Sequence, residues 1–236
     1  MLVGARVAVV VPAYNEARLV ARTLAGIPGF VDRVIVVDDA SSDSTAEAAE
    51  AFGDPRVAVV RHASNRGVGA AIATGCRVAF EGGADVAAVM AGDAQMDPSD
   101  LQRVVEPVAR GEVDYCKGDR LSHPSAAAAM PAHRFVANHV LSRLTSLATG
   151  LLVRDSQCGY TAISRGAARR VALDRMWPGY GYPNDLLGRM AAARLRVGEV
   201  TVRPIYADEQ SGIGLRHGLV IIPFLLARTA MSRRRA

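Results

Sequence analysis

The stretch VMAGDAQMDPSDL, residues 89–101, closes an apolar run and then places Asp93, Gln95 and Asp97 ahead of Pro98. An acid at the end of a buried strand holds a metal ion, holds a helix terminus, or holds nothing. Asp93 and Gln95 alternate by two, which sets both on one side of an extended segment. Two oxygen donors on one side suit a hard divalent cation, Mg2+ or Mn2+, whose other ligands come from water and phosphate. Asp97 sits directly before Pro98 and is expected to cap a helix that starts there.

Outward from this stretch, apolar runs alternate with helix-like segments. Strands are expected at 6–14, 33–41, 56–64, 85–93 and 113–120. Between them, NEARLVARTLAGI has helical spacing with Asn15 as its N-cap, SDSTAEAAEAF follows a Ser/Asp cap, and GVGAAIATGCRVAFEGG closes on Gly82 and Gly83. A further helix opens near Pro98 and ends at Gly111. This alternation implies an α/β fold with a mostly parallel sheet and helices on both faces. Ligands of such sheets bind at the carboxyl ends of the strands. The polar residues gather there: Tyr14 to Glu16, Asp38 and Asp39, Asn65 and Arg66, Asp93 and Gln95, Asp119 and Arg120.

The second half is less regular. HPSAAAAMP (123–131) reads as a mobile loop and HRFVANHVLSRLTSLATG as a helix. DSQCGYTAIS leads into a strand, GYGYPNDLLGRMAAARL into a helix beginning near Asn184, and VGEVTVRPIY is a strand before the loop ADEQSGIG.

Of the 236 residues, half are hydrophobic, ample for one core. The formal charge of +5 favours nucleotides, lipid phosphates or a membrane surface as partners without choosing among them, and nucleic acid is not expected. Cys76, Cys116 and Cys158 form neither a disulfide framework nor a zinc site, in keeping with a reducing cytosol. No window reaches the roughly 18 apolar residues of a membrane span.

Adjacent carboxylates point in opposite directions on an extended backbone, so one of Asp38 and Asp39 can face the cleft while the other caps the next turn. Arg66 stands near a helix start, and Gly67 and Gly69 permit close backbone approach, which suits a diphosphate. NRGVGAA lacks the GK[ST] ending of a Walker loop, and the first turn, PAYNEA, has no glycine, so a standard dinucleotide site is not expected.

VVVPAYNEARLV, VIVVDDASSDST, NRGVGAAIATG and GDAQMDP, in this order and spacing, resemble the family-2 glycosyltransferases of GT-A fold. The likeness is strongest to the branch of dolichyl- and polyprenyl-phosphate sugar synthases, and YCKGDR, DSQCGYTAIS and PNDLL carry it to about residue 215. The resemblance implies a Rossmann-like catalytic domain over 1–215 and an inverting transfer of sugar from a UDP- or GDP-sugar to polyprenyl phosphate. It implies that Pro12, Tyr14, Glu16 and Asp39 frame the nucleobase and ribose, with Asp38 behind that wall. Asn65, Arg66 and Gly67 would lie near the diphosphate, Arg120 near the phosphates, and Asp93 with Gln95 on Mg2+ or Mn2+. Asp185 matches an acid near the acceptor, as a base for a hydroxyl acceptor or as a modulator of Arg203 for a phosphate one. Transfer to a soluble hydroxyl or amine acceptor is the alternative, and a non-catalytic nucleotide-sugar binding module a third.

Two departures stand out. Ala91 replaces the usual first acid of the metal motif, and members of this branch often carry transmembrane helices that are not seen here. Residues 216–236 instead hold an apolar run, Leu219 to Ala227, broken by Pro223 and followed by Arg233 to Arg235. This tail either lies in a membrane interface, placing a cytoplasmic protein peripherally at the inner face of the plasma membrane, or packs on its own domain or in a homodimer. The histidines, His62 among them, show no catalytic pairing and are expected to be structural.

Overall fold

The computed structural model describes residues 1–206, 224–227 and 229. In chain order the strands are β1 Val7–Ala13, β2 Arg33–Asp38, β3 Val57–Arg61, β4 Val86–Val89, β5 Tyr115–Asp119, β6 Thr161–Ser164 and β7 Val197–Thr201. The helices are α1 Val20–Gly26, α2 Thr45–Glu50, α3 Val68–Glu81, α4 Leu101–Ala109, α5 Ala126–Ala129, α6 Ala132–Thr149, α7 Arg165–Val171 and α8 Tyr182–Ala192.

β1 is the axis. Val7 to Val11 are all 0% exposed. Val7, Val9 and Val11 face one core, with residues of α1, α2 and α4; Ala8 and Val10 face the other, with residues of α3, α7 and α8. A strand covered on both faces has no polar side, which is why its sequence is a continuous apolar run.

The sheet order is β3-β2-β1-β4-β6-β5-β7. Every pairing is parallel except those of β6, which runs antiparallel between β4 and β5. The mostly parallel α/β architecture is as expected. The insertion of β6 is not legible locally, since consecutive β4 and β5 would be neighbours in a simple alternation.

Several boundaries differ from the sequence expectation. The first helix starts at Val20, not after an Asn15 cap. Asn15 adopts φ 58° and its Oδ1 accepts from the Ser42 N–H at 2.8 Å, so it ties the first loop to the second. The second strand stops at Asp38 because the Ser41 N–H and hydroxyl fold back onto the Asp38 carboxylate. The segment 123–131 is not a bare loop: it holds α5 and buries Ala126 and Met130. α8 starts at Tyr182 with Pro183 in its first turn, leaving Asn184 inside the helix. α7 was unforeseen, although Ser164 caps it by accepting from the Ala167 N–H at 3.1 Å.

Of the tail, residues 224–227 are helical, Leu225 and Leu226 are buried, and Thr229 lies over Gly188 of α8. The loop at 207–214, the boundary at 215, Leu219 to Pro223 and Arg233 to Arg235 lie outside the described residues. Among the described residues no helix is long and apolar enough to cross a membrane.

α3 presses on β1 through Gly75, where a Cβ would meet Val10 Cγ1 at 2.2 Å. Gly75→Ala gains roughly 1 kcal/mol of helix propensity but forces overpacking that costs about 1–3 kcal/mol. Its unfolding midpoint in urea should fall. Gly166→Ala, near the exposed start of α7 with open space around it, should hold the midpoint or raise it.

Candidate active site

A cavity of about 410 Å³ opens at the carboxyl ends of β1, β2 and β4. One wall is Pro12, Ala13, Tyr14, Glu16 and Asp39; the floor includes Ala91, Gly92 and Asp93; the opposite wall is Gln157, Gly159, Tyr180, Tyr182 and Pro183. Asn65, Gly67 and Val68 complete the rim. The sheet puts them together because parallel strands deliver all their C-terminal loops to one edge.

Asp38 and Asp39 divide their work. Asp38 caps the turn at Ser41 and does not line the cavity. Asp39 lines it, and its carboxylate accepts from the Arg66 N–H (2.9 Å), the Gly67 N–H (2.7 Å) and His62 Nδ1 (2.6 Å). A carboxylate only accepts, so His62 donates from Nδ1, while Nε2 meets Thr74 Oγ1 at 3.0 Å. His62 is therefore structural, as expected, but its role as the clamp on Asp39 was invisible in sequence: the two residues lie on different strand ends.

The start of α3 departs from expectation. Gly67 and Gly69 do allow a close backbone approach, but the partner is the chain itself. The Pro178 carbonyl accepts from the Gly69 N–H at 2.7 Å, and a Cβ on Gly69 would lie 2.2 Å from the Trp177 oxygen. The helix terminus expected to take a diphosphate is capped by the 177–178 backbone. Arg66 is exposed at the rim between Asn65 and Gly67, and its side chain is not part of the cavity lining.

At the floor, the segment 93–95 is not extended. Ala94 has φ 56°, and the Gln95 N–H turns back to donate to Asp93 Oδ1 at 3.0 Å. Asp93 lines the cavity and Gln95 does not, so the predicted side-by-side pair is corrected by this left-handed turn. Thr23 supports the turn, accepting from the Ala94 N–H. Asp97 behaves as expected, accepting from the Ser99 N–H and hydroxyl ahead of the Pro98–Asp100 turn of 3-10 helix. No group of three metal-ligating His, Cys, Asp or Glu residues gathers among the described residues. The donor set fits a hard divalent ion held by Asp93 and completed by ligand phosphate and water, not an ion held by protein alone.

Two further predicted residues are engaged away from the cavity. Arg120 forms a two-pronged ion pair with Asp155, Nε–Oδ2 2.8 Å and Nη2–Oδ1 3.1 Å, and Asp155 is fully buried. Burial pushes the Asp155 carboxyl up, but the adjacent guanidinium outweighs it and holds the group below its ordinary range. Asp185 is buried; its Oδ2 accepts from Arg189 Nε at 2.9 Å and from the Trp177 N–H at 2.8 Å. Arg203, its expected partner, instead donates its N–H to Asp100 and lies 3.8 Å from Asp97.

Sequence reasoning gave no role to Gln157. Its Nε2 donates to Ser156 Oγ at 2.8 Å and to Asn184 Oδ1 at 3.3 Å, which turns the amide oxygen away from both. Cys158 is buried, and burial pushes its thiol up, so it is no nucleophile.

Asp155→Ala leaves a largely buried guanidinium unpaired and should cost about 3–5 kcal/mol in denaturant unfolding. Because the folded pKa is depressed, this contribution is complete above the unfolded value and disappears as pH falls through the folded one. The stability gap between wild type and variant should therefore narrow below about pH 4. A gap that is constant with pH would contradict the pairing.

The family model described as "Glycosyl transferase family 2" matches residues 8–172. A UDP-N-acetylglucosamine–dolichyl-phosphate N-acetylglucosaminyltransferase of Methanococcus voltae is 29% identical over 214 residues, covering 84% of this chain and 85% of the relative. An undecaprenyl-phosphate mannosyltransferase of Micrococcus luteus is 32% identical over 202 residues, covering 84% and 82%. Among solved structures, a glucosyl-3-phosphoglycerate synthase from Mycobacterium tuberculosis, in complex with Mn2+, UDP and glucosyl-3-phosphoglycerate, superposes with a TM-score of 0.69. It is 22% identical and the match covers 98% of this chain and 80% of that one, a likeness of fold. The acid-floored cavity at the strand ends and the matched motifs agree: this chain belongs to glycosyl transferase family 2, is a glycosyltransferase of GT-A fold, and has polyprenyl-phosphate sugar transferases among its relatives.

Proposed function

We propose that this chain moves a sugar from a UDP- or GDP-sugar to a polyprenyl phosphate, with inversion at the anomeric carbon. The observation that carries this is the placement of Asp93 on the cavity floor between the Pro12–Glu16 and Asp39 wall and the Gln157–Tyr182 wall. The first wall takes the nucleoside and the second faces the sugar. Asp93 would hold Mg2+ or Mn2+, which when bound supplies positive charge to the departing diphosphate.

The remaining chemistry belongs to the chain. The acceptor phosphate oxygen attacks the anomeric carbon, the bond to the diphosphate oxygen breaks, and its electron pair leaves with the nucleoside diphosphate. A phosphate acceptor is already anionic and needs no base. This accords with Asp185, which is committed to Arg189 and the Trp177 N–H and does not line the cavity. A hydroxyl acceptor would need such a base. Burial raises the Tyr182 phenol above its ordinary range, keeping it a neutral hydrogen-bond donor beside the sugar wall. Gln157, its nitrogen already committed, offers its oxygen to a sugar hydroxyl.

The test is incubation with radiolabelled UDP- and GDP-sugars, polyprenyl phosphate and Mn2+, followed by organic extraction. The label should enter the organic phase. Asp93→Ala should lower turnover by a factor on the order of 100 or more, and chelation of the metal should do the same. Label transferred only to water-soluble acceptors would overturn the acceptor assignment; an Asp93→Ala enzyme of near-normal rate would overturn the metal assignment.

A further inference from the structure

Behind the sugar-facing wall lies a buried set of polar side chains that the reaction leaves unused. Gln157 lines the cavity. Behind it stand Ser156 and Asn184, both 0% exposed, with Ser142 and Thr145 of α6, also buried. Gln157 Nε2 donates to Ser156 Oγ at 2.8 Å and to Asn184 Oδ1 at 3.3 Å. Thr145 Oγ1 lies 2.8 Å from the same Asn184 oxygen. Asn184 Nδ2 is buried and has no hydrogen-bond partner among the described residues. A buried amide nitrogen with two unused protons is costly, and the groups around it are all capable of accepting.

The same atoms support a second arrangement. A hydroxyl has one proton. Thr145 Oγ1 stands 2.8 Å from two acceptors, the Leu141 carbonyl and Asn184 Oδ1, and can donate to only one of them. The two poles of an amide are nearly the same size, so turning the Asn184 and Gln157 amides over about their last torsions needs no extra room. Asn184 Nδ2 then donates to Thr145 Oγ1 and to Gln157 Oε1. Thr145 donates to the Leu141 carbonyl, and the Ser156 hydroxyl donates to Gln157 Oε1. The atom left over is the Asn184 oxygen, and an under-used carbonyl is better tolerated than an orphaned N–H. The two amides turn together, because turning one alone sets oxygen against oxygen or NH2 against NH2. In the turned arrangement Gln157 Nε2 faces the cavity.

We propose that Asn184 is a positioning residue that sets which pole of the Gln157 amide meets the sugar, and that the coupled turnover lets one wall serve two kinds of donor sugar. With its oxygen outward, Gln157 accepts from a sugar hydroxyl. With its nitrogen outward, it donates to an acetamido carbonyl. Each sugar draws the pair to the arrangement it binds better, by as much as the two affinities differ. The inference rests on the nucleotide-sugar reading of the cavity and is independent of the acceptor.

The experiment is calorimetric titration of the full chain with UDP, UDP-glucose and UDP-N-acetylglucosamine, with Mn2+ and without an acceptor. The wild type should bind both sugars. Asn184→Asp offers acceptors only, which holds the Gln157 nitrogen inward and its oxygen outward. This variant should weaken UDP-N-acetylglucosamine by about tenfold relative to UDP-glucose. It should bind UDP itself within about twofold of wild type, which a general loss of structure would not allow. Gln157→Glu also presents only acceptors to the cavity and should shift the ratio the same way. Its new carboxylate is met by Asn184 Nδ2 and the Ser156 hydroxyl if Asn184 turns. Without ligand, at about pH 7.5, its melting temperature should then stay within about 3 °C of wild type. Three results would overturn the proposal: a wild type that takes only one of the two sugars, an Asn184→Asp variant whose sugar ratio is unmoved or whose UDP binding falls equally, and a larger fall in melting temperature for Gln157→Glu, which fixes Asn184 as it stands. A wild type that binds neither UDP-sugar removes uridine as the nucleoside of the donor, and the melting comparison then decides the amide pair by itself.

Discussion

The Asp39 carboxylate anchors one side of the cavity. It accepts from the backbone of Arg66 and Gly67 and from His62, and so fixes where α3 begins relative to the end of β2. The start of α3 in turn receives the Pro178 carbonyl, and the neighbouring Trp177 N–H donates to Asp185, which Arg189 holds. A continuous chain of hydrogen bonds thus runs from the Asp39 wall of the cavity to α8, the helix that carries Tyr182 and Pro183. Each link is a charged or backbone group in a poorly solvated place, where a lost partner costs more than the bond is worth in water.

A second anchor sits at the other end of the sheet. Lys117, the single lysine, is fully buried on β5 and donates to the Asp155 carbonyl, while Glu199 of β7 accepts from the backbone of Arg154 and Asp155. Burial raises the Glu199 carboxyl, and Lys117 offsets part of that. With the Arg120–Asp155 pair, these groups fasten the 154–157 turn to two strands, and that turn presents Gln157 to the cavity. Arg120, expected to lie near substrate phosphate, serves here to hold the turn, and Asp93 is left as the acid at the floor.

The sheet and most of its order of elements were legible because burial on both faces leaves an unbroken aliphatic signature in β1, β2 and β4. The convergence of Tyr14, Glu16, Asp39, Asn65 and Asp93 was legible for the same reason: in a parallel sheet, residues after each strand share an edge. Gly67 and Gly69 show the limit of such reasoning. Close backbone approach was correctly inferred, but its partner is a proline carbonyl more than a hundred residues away. Asp93 and Gln95 show another: a period of two predicts one side only if the chain stays extended, and Ala94 turns left-handed.

By itself, the sequence determined the α/β class, the family, and the gathering of polar residues, Asp93 among them, at the carboxyl ends of the strands, because these follow from local periodicity and motif spacing. Tertiary structure alone decided the antiparallel place of β6, the pairing of Arg120 with Asp155 and of Asp185 with Arg189, the clamp of His62 on Asp39, and the burial of Ser142, Thr145 and Thr149 on the inner side of α6. Charge partners and helix rotation are set by which surfaces meet, and a one-dimensional pattern records the residues without recording what they face.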